Sequence, residues 1–218
     1  MGVGLNREAH LFACHKYLEE KGSQILLQLA KADFRDSEKI NSILIHLHSY
    51  VSTLENHAKW ENEFIFSKFF RNSEISTFLS EHSTLEKAGN KLVAALRDLS
   101  NLEPLDRLSA GKRIYLDFRR FYASNLVHFH IEETDFLVFL QSRASDDEIR
   151  AIDKPIYESM TSDEIVEMLE SLLPPTNSSE KKEIIEDLRN FNSMNLENSV
   201  PRIRGILTSE ECIEIFGK

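Results

Sequence analysis

Two short stretches of this chain pair a histidine with a glutamate four residues further on: His57-Ala58-Lys59-Trp60-Glu61 and His128-Phe129-His130-Ile131-Glu132. Positions i and i+4 of a helix lie one turn apart on one face, so each pair turns an imidazole nitrogen and a carboxylate into the same space. One such pair is weak evidence, since histidine and glutamate are common on surfaces. Two of them, on different helices and among aromatic residues that should face a core, carry the donors of a metal site. Trp60 and Phe64 flank the first pair, Phe129 and Phe136 the second. A buried carboxylate is costly without a partner, so burial demands pairing or coordination.

The elements that must position these residues follow a helical period. Residues 6–31 carry Leu11, Cys14, Leu18, Ile25, Leu26 and Leu29 on one stripe. A second long helix is predicted over 38–71, with Asp36 or Ser37 as cap, a third over 74–99 after Asn72 or Ser73, and a fourth over 106–142. The stretch 100–106 contains Pro104 and is read as a connection. Long helices joined by short links predict an all-α fold, an up-down-up-down four-helix bundle over residues 1–143. Residues 144–218 change character, with predicted helices at 146–157, 161–173, 178–191 and 199–215. Cap-like SDDE, TSDE, SSEKKE and TSEE stretches and four prolines punctuate them. This extension of short helices is expected to pack on the bundle or on a partner.

The remaining helices supply further donors. His15 lies on the first helix and His82 on the third, 42 residues before His57 and 46 before His128. These separations suit two antiparallel hairpins whose ligands meet partway along the bundle. His10 competes with His15 but points about 140° away on the same helix. His46 shares a face with His57 three turns off and reads as a packing or outer histidine; His48 and His130 read as surface residues. Glu81, Glu86 and Glu133 read as solvated or outer groups, and Tyr50 and Tyr122 as hydrogen-bond donors near the pocket or ordinary core tyrosines. Four neutral imidazoles with two carboxylates suit a pair of irons, because carboxylates bridge two cations and reduce their repulsion.

The same residues carry a resemblance. His15, HAKWENE with His57 and Glu61, EHSTLE with His82, and HFHIEE with His128 and Glu132 resemble the hemerythrin-like, or HHE, cation-binding family over roughly residues 8–142. The H…HxxxE…H…HxxxE pattern is also similar to the iron-sensing N-terminal domain of a eukaryotic F-box protein. The resemblance implies a four-helix bundle around two non-haem iron ions, bridged by carboxylates and an oxo or hydroxo group, with manganese or zinc as substitutes. It implies His15 and His57 on one side of the centre, His82 and His128 on the other, and Glu61 and Glu132 as bridges. Oxygen-carrying hemerythrins have a fifth histidine four residues from the one matched by His82, where this chain holds Phe78 and Glu86. They end the last motif in aspartate where Glu133 stands, and the iron sensor has an acidic residue where Ala58 stands. Redox chemistry or sensing is therefore expected rather than reversible oxygen carriage.

Composition narrows the rest. Only seven glycines and five prolines among 218 residues argue against a turn-rich β protein. A net charge of −10 excludes non-specific binding to nucleic acid or anionic lipid. No apolar run approaches the ~20 residues that span a bilayer. The N-terminus lacks a secretory pattern, Asn6 breaks the myristoylation pattern, and Cys14 and Cys212 build no disulfide framework, so a reducing cytoplasm is expected. Phosphate-loop, GxSxG and HExxH motifs are absent. The expected function is binding or reducing a small diatomic or peroxide ligand (O2, peroxide or NO). The alternative is a non-enzymatic iron- or oxygen-sensing module acting through its C-terminal helices on a protein partner or a second copy.

Overall fold

Asp36 ends the first loop by accepting from the backbone N–H groups of Glu38 and Lys39, and the helix it caps is the second of four long rods. A computed structural model describes residues 13–217, and all regular structure among them is helical. The rods are α1 (Ala13–Lys31), α2 (Ser37–Trp60), α3 (Ser76–Leu99) and α4 (Pro104–Ile131). The helical path of α2 runs on through Glu61–Phe66 and Ser67–Phe69, that of α4 through Glu132–Phe136 and Leu137–Gln141. His10, Leu11 and the start of the first predicted helix lie outside the described residues. Pro104 does not sit in a connection: it opens α4, where its missing N–H has no intrahelical acceptor to lose. Neither Asn72 nor Ser73 caps α3, which starts from Ile75 with no side-chain cap.

Cross-helix contacts give the directions. Asn90 meets Glu55 and His82 meets Asn62, so α2 and α3 are antiparallel. Glu81 with His128 and Gly89 with Phe121 do the same for α3 and α4. Tyr50 with Phe121 and His57 with Phe129 advance together, which makes α2 and α4 parallel. Helix α1 runs against α2 through Gln28–His46 and Gly22–Tyr50. A Cβ at Gly22 would lie 2.4 Å from the Tyr122 ring and 2.8 Å from the Tyr50 hydroxyl, so bare backbone is what lets those rings close on α1. Leu18, Ile25, Leu47, Leu96 and Phe118 fill the interior, one or two from each rod, whereas Leu108 in the first turns of α4 is exposed.

Compactness divides the chain after Tyr17 and after Glu132. One unit is Leu18–Glu132; the other takes 13–17 and 133–217 of the described residues. Within the second unit, Lys16 binds both carboxylate oxygens of Glu180, His15 binds Glu133, and Ala13 joins the apolar cluster of Leu169, Leu188 and Leu196. These ties account for the first turns of α1 belonging there. The unit continues with α5 (Asp146–Arg150), α6 (Lys154–Ser159), α7 (Ser162–Leu172), α8 (Ser178–Phe191), α9 (Ser193–Ile203) and α10 (Ser209–Phe216). The predicted segment 146–157 is thus two helices, with Pro155 in the first turn of the second. The segment 199–215 is also two, because Pro201 falls within the last turn of α9 instead of starting a new element. No described helix is long and apolar enough to cross a membrane.

Candidate metal centre

At the end of each HxxxE motif the helix widens. Glu61 opens a π-helical turn through Phe66, and Glu132 opens one through Phe136. Such turns admit one residue more than an α-helix and recur at functional sites. Both glutamates are buried, at 1% and 0% exposure. Glu61 Oε1 lies 3.3 Å from His57 Nε2 and Glu61 Oε2 lies 3.3 Å from His82 Nε2. Glu132 Oε1 lies 3.1 Å from His128 Nε2 and 3.4 Å from His82 Nε2. One donor atom from each of Glu61, His82, His128 and Glu132 falls within 4.8 Å of all the others. The His82 and His128 rings meet edge to face at 4.7 Å, and Phe66 stacks on His82 at 5.6 Å.

The far side of each ring fixes its chemistry. His82 Nδ1 lies 3.1 Å from Asn62 Oδ1, and His128 Nδ1 lies 3.0 Å from Glu81 Oε2. Both oxygens are acceptors, so each Nδ1 carries the proton and donates it. Each Nε2 of the neutral ring then turns a lone pair toward carboxylate oxygens, an arrangement that repels unless a positive charge sits between them. Burial disfavours charge on His82, but its bonds to Glu132 and Glu61 outweigh that and raise its pKa to about 9. Burial likewise opposes charge on His128; Glu132 overcomes it and raises the pKa, against the effect of neighbouring His82. A proton or a metal ion supplies the missing charge, and nitrogen donors mixed with carboxylates fit non-haem iron, manganese or zinc.

The model of the hemerythrin HHE cation-binding domain matches residues 8–140. The chain belongs to that family. No curated protein and no solved structure matches it.

Of the sequence-predicted residues, the Leu18–Glu132 unit thus brings together His57, Glu61, His82, His128 and Glu132, on α2, α3, α4 and the π-helical turns that follow α2 and α4. His15 belongs to the other unit, where it stands fully buried in the first turn of α1 with Nδ1 2.9 Å from Glu133 Oε1. His46 is exposed and bonds Gln28 of α1; His48 and His130 are exposed too. Tyr122 donates to the Glu19 carbonyl, and burial raises the pKa of the Tyr50 phenol. Phe78, at one of the two places that could hold the fifth histidine of oxygen carriers, packs on the Phe66 ring. Sequence reasoning did not single out Asn62, and left Glu81 and Glu133 undecided between solvent and an outer role. The available signal was adjacency: each is the chain neighbour of a candidate ligand and points about 100° around its helix toward the next rod.

A cavity of about 220 Å³ reaches this cluster between α2, α3 and α4. Its wall combines His57, His82 and His128 with Val51, Leu79 and Phe121, and Asn125 adds a buried amide whose nitrogen donates to the Phe121 carbonyl. The space suits a ligand of a few atoms.

Proposed function

We propose that this HHE chain holds two non-haem iron ions and acts on small oxygen-derived species: O2, peroxide or NO. His82 and His128 would hold one iron, His57 and His15 the other, with Glu61 and Glu132 as the carboxylates common to both. The place of His15 in this set rests on its position in the sequence pattern. Iron, when bound, supplies one-electron redox chemistry that no side chain here provides. The protein's own part is to bind, orient and exclude. Outer acceptors hold the Nδ1 protons of His82 and His128 and so aim Nε2 inward. The cavity beside His57, His82 and His128, with Val51, Leu79, Phe121 and Phe129 in its wall, would admit a small ligand to metals held there.

The observation that carries this reading is the pair of Nδ1-anchored imidazoles facing two buried carboxylates at 3.1–3.4 Å. The test is metal analysis of the full chain purified from iron-supplied cells. About two irons per chain are expected, with near-ultraviolet absorption that changes on reduction. Turnover of peroxide or NO should disappear in Glu61→Ala. Protein that takes up no iron, manganese or zinc overturns the reading.

One observation favours a second reading, a sensor in a reducing cytoplasm. The second unit has its own apolar cluster and its own capped helices, as a separable output module requires. Metal that binds only the folded form stabilises it by mass action. Limited proteolysis discriminates: protection of residues 144–218 only in the iron-loaded protein supports sensing through a protein partner or second copy.

A further inference from the structure

Three histidines of the candidate set, His15, His82 and His128, are each backed at Nδ1 by a side chain next to another candidate ligand. Asn62, next to Glu61 on the path of α2, holds His82 of α3. Glu81, next to His82, holds His128 of α4. Glu133, next to Glu132, holds His15. A residue beside a ligand thus serves the imidazole of another helix, because one step along a helix is about 100° of rotation.

The backing groups differ in charge. His82 and His128 both face Glu132, and His82 faces Glu61 as well, yet Asn62 offers His82 a neutral amide oxygen and Glu81 offers His128 an anionic one. Glu81 is 37% exposed on its side chain, while His128 is 5% exposed. An anionic acceptor draws the Nδ1 proton away from the ring and strengthens Nε2 as an electron donor; an amide does so less. We propose that Glu81 and Asn62 are positioning residues that set the redox balance at the His82/His128 metal position. Glu81 pushes that position toward the ferric state through His128, and the amide at position 62 limits the same push through His82. This rests on the iron reading above.

The test is a mediated redox titration of the iron-loaded full chain at saturating iron, in which each ferric ion takes one electron from the mediator and becomes ferrous. Glu81→Gln keeps the size of the side chain and removes its charge, and the potential should move to more positive values. Asn62→Asp adds the missing charge, and the potential should move to more negative values. Glu86→Gln removes a charge from the wall of the same cavity, one helical turn from His82, and should move it much less. Opposite shifts in the first two variants, with iron content equal to that of the unaltered chain, support the proposal. Equal shifts in Glu81→Gln and Glu86→Gln, or no shift in either bonded variant, overturn it. An unaltered chain that binds no iron defeats the metal reading itself, whereas bound iron with an unresponsive potential defeats only this inference.

Discussion

The two compact units both have apolar cores but differ in the polar side chains they bury. The Leu18–Glu132 unit places two carboxylates and two imidazoles among its phenylalanines, while the other is held by an apolar cluster that includes Ile165, Leu169, Ile185, Leu188 and Ile203. Their helix ends differ as well. Helices α5, α7, α8 and α10 each begin with a capping box, formed by Ser145 with Glu148, Thr161 with Glu164, Asn177 with Glu180, and Thr208 with Glu211. The long helices α3 and α4 start with no side-chain cap at all. Short helices are marginal alone, and local bonds at their ends add to what holds these four; α6 and α9 begin without a side-chain cap, and the long α2 is capped by Asp36. Long helices draw on packing along their length, and that packing leaves room for polar side chains that do not stabilise the fold by themselves.

The sharpest way to break this contrast is Glu132→Ala. It should abolish metal binding, a loss beyond the ~10–100-fold of an outer partner, while the helix content seen by circular dichroism stays unchanged. Leu188→Ala in the second unit should do the reverse. It should cost about 2–5 kcal/mol in denaturant unfolding by opening a cavity, with metal stoichiometry intact. Between these lies pH. The pKa of His82 in the metal-free protein is raised to about 9, so its proton stabilises the fold fully below the unfolded value near 6.5. That contribution is lost as pH rises through about 9. The thermal midpoint of the metal-free protein should therefore fall across this window. Metal affinity should rise over the same range by up to about tenfold per pH unit, because binding no longer has to displace the proton. The smallest effect belongs to the caps: Thr161→Ala should cost about 1 kcal/mol and leave both metal content and its pH dependence alone.

Much of this contrast was legible in the residues. The i, i+4 spacing of His57–Glu61 and His128–Glu132 declares a shared face, and the apolar period places those faces inward. The caps at Ser145, Thr161 and Thr208 are legible for the same local reason. The cap of α8 is less so, because Asn177 precedes two serines that offer the same chemistry, and only the backbone decides among them. Pro201 misleads because a proline near a helix end loses one hydrogen bond and can be accommodated. Asn62 and Glu81 escape a reading based on faces, since their partners sit on other helices. The π-helical turns at Glu61 and Glu132 leave no mark in residue type; tertiary packing imposes them.

The first of those wide turns bears on which changes of chain length the protein could absorb. Residues five apart on a regular helix diverge by about 140°, yet Glu61 and Phe66 both reach the His82 ring, one through a carboxylate oxygen and one through a stacked face. The turn achieves this by swallowing a surplus residue. Glu63 is exposed within it, and a chain lacking Glu63 would wind as an ordinary helix with carboxylate and aromatic shelf four apart, still over the same imidazole. Length is negotiable there, whereas a deletion one turn earlier, between His57 and Glu61, would uncouple donor from donor.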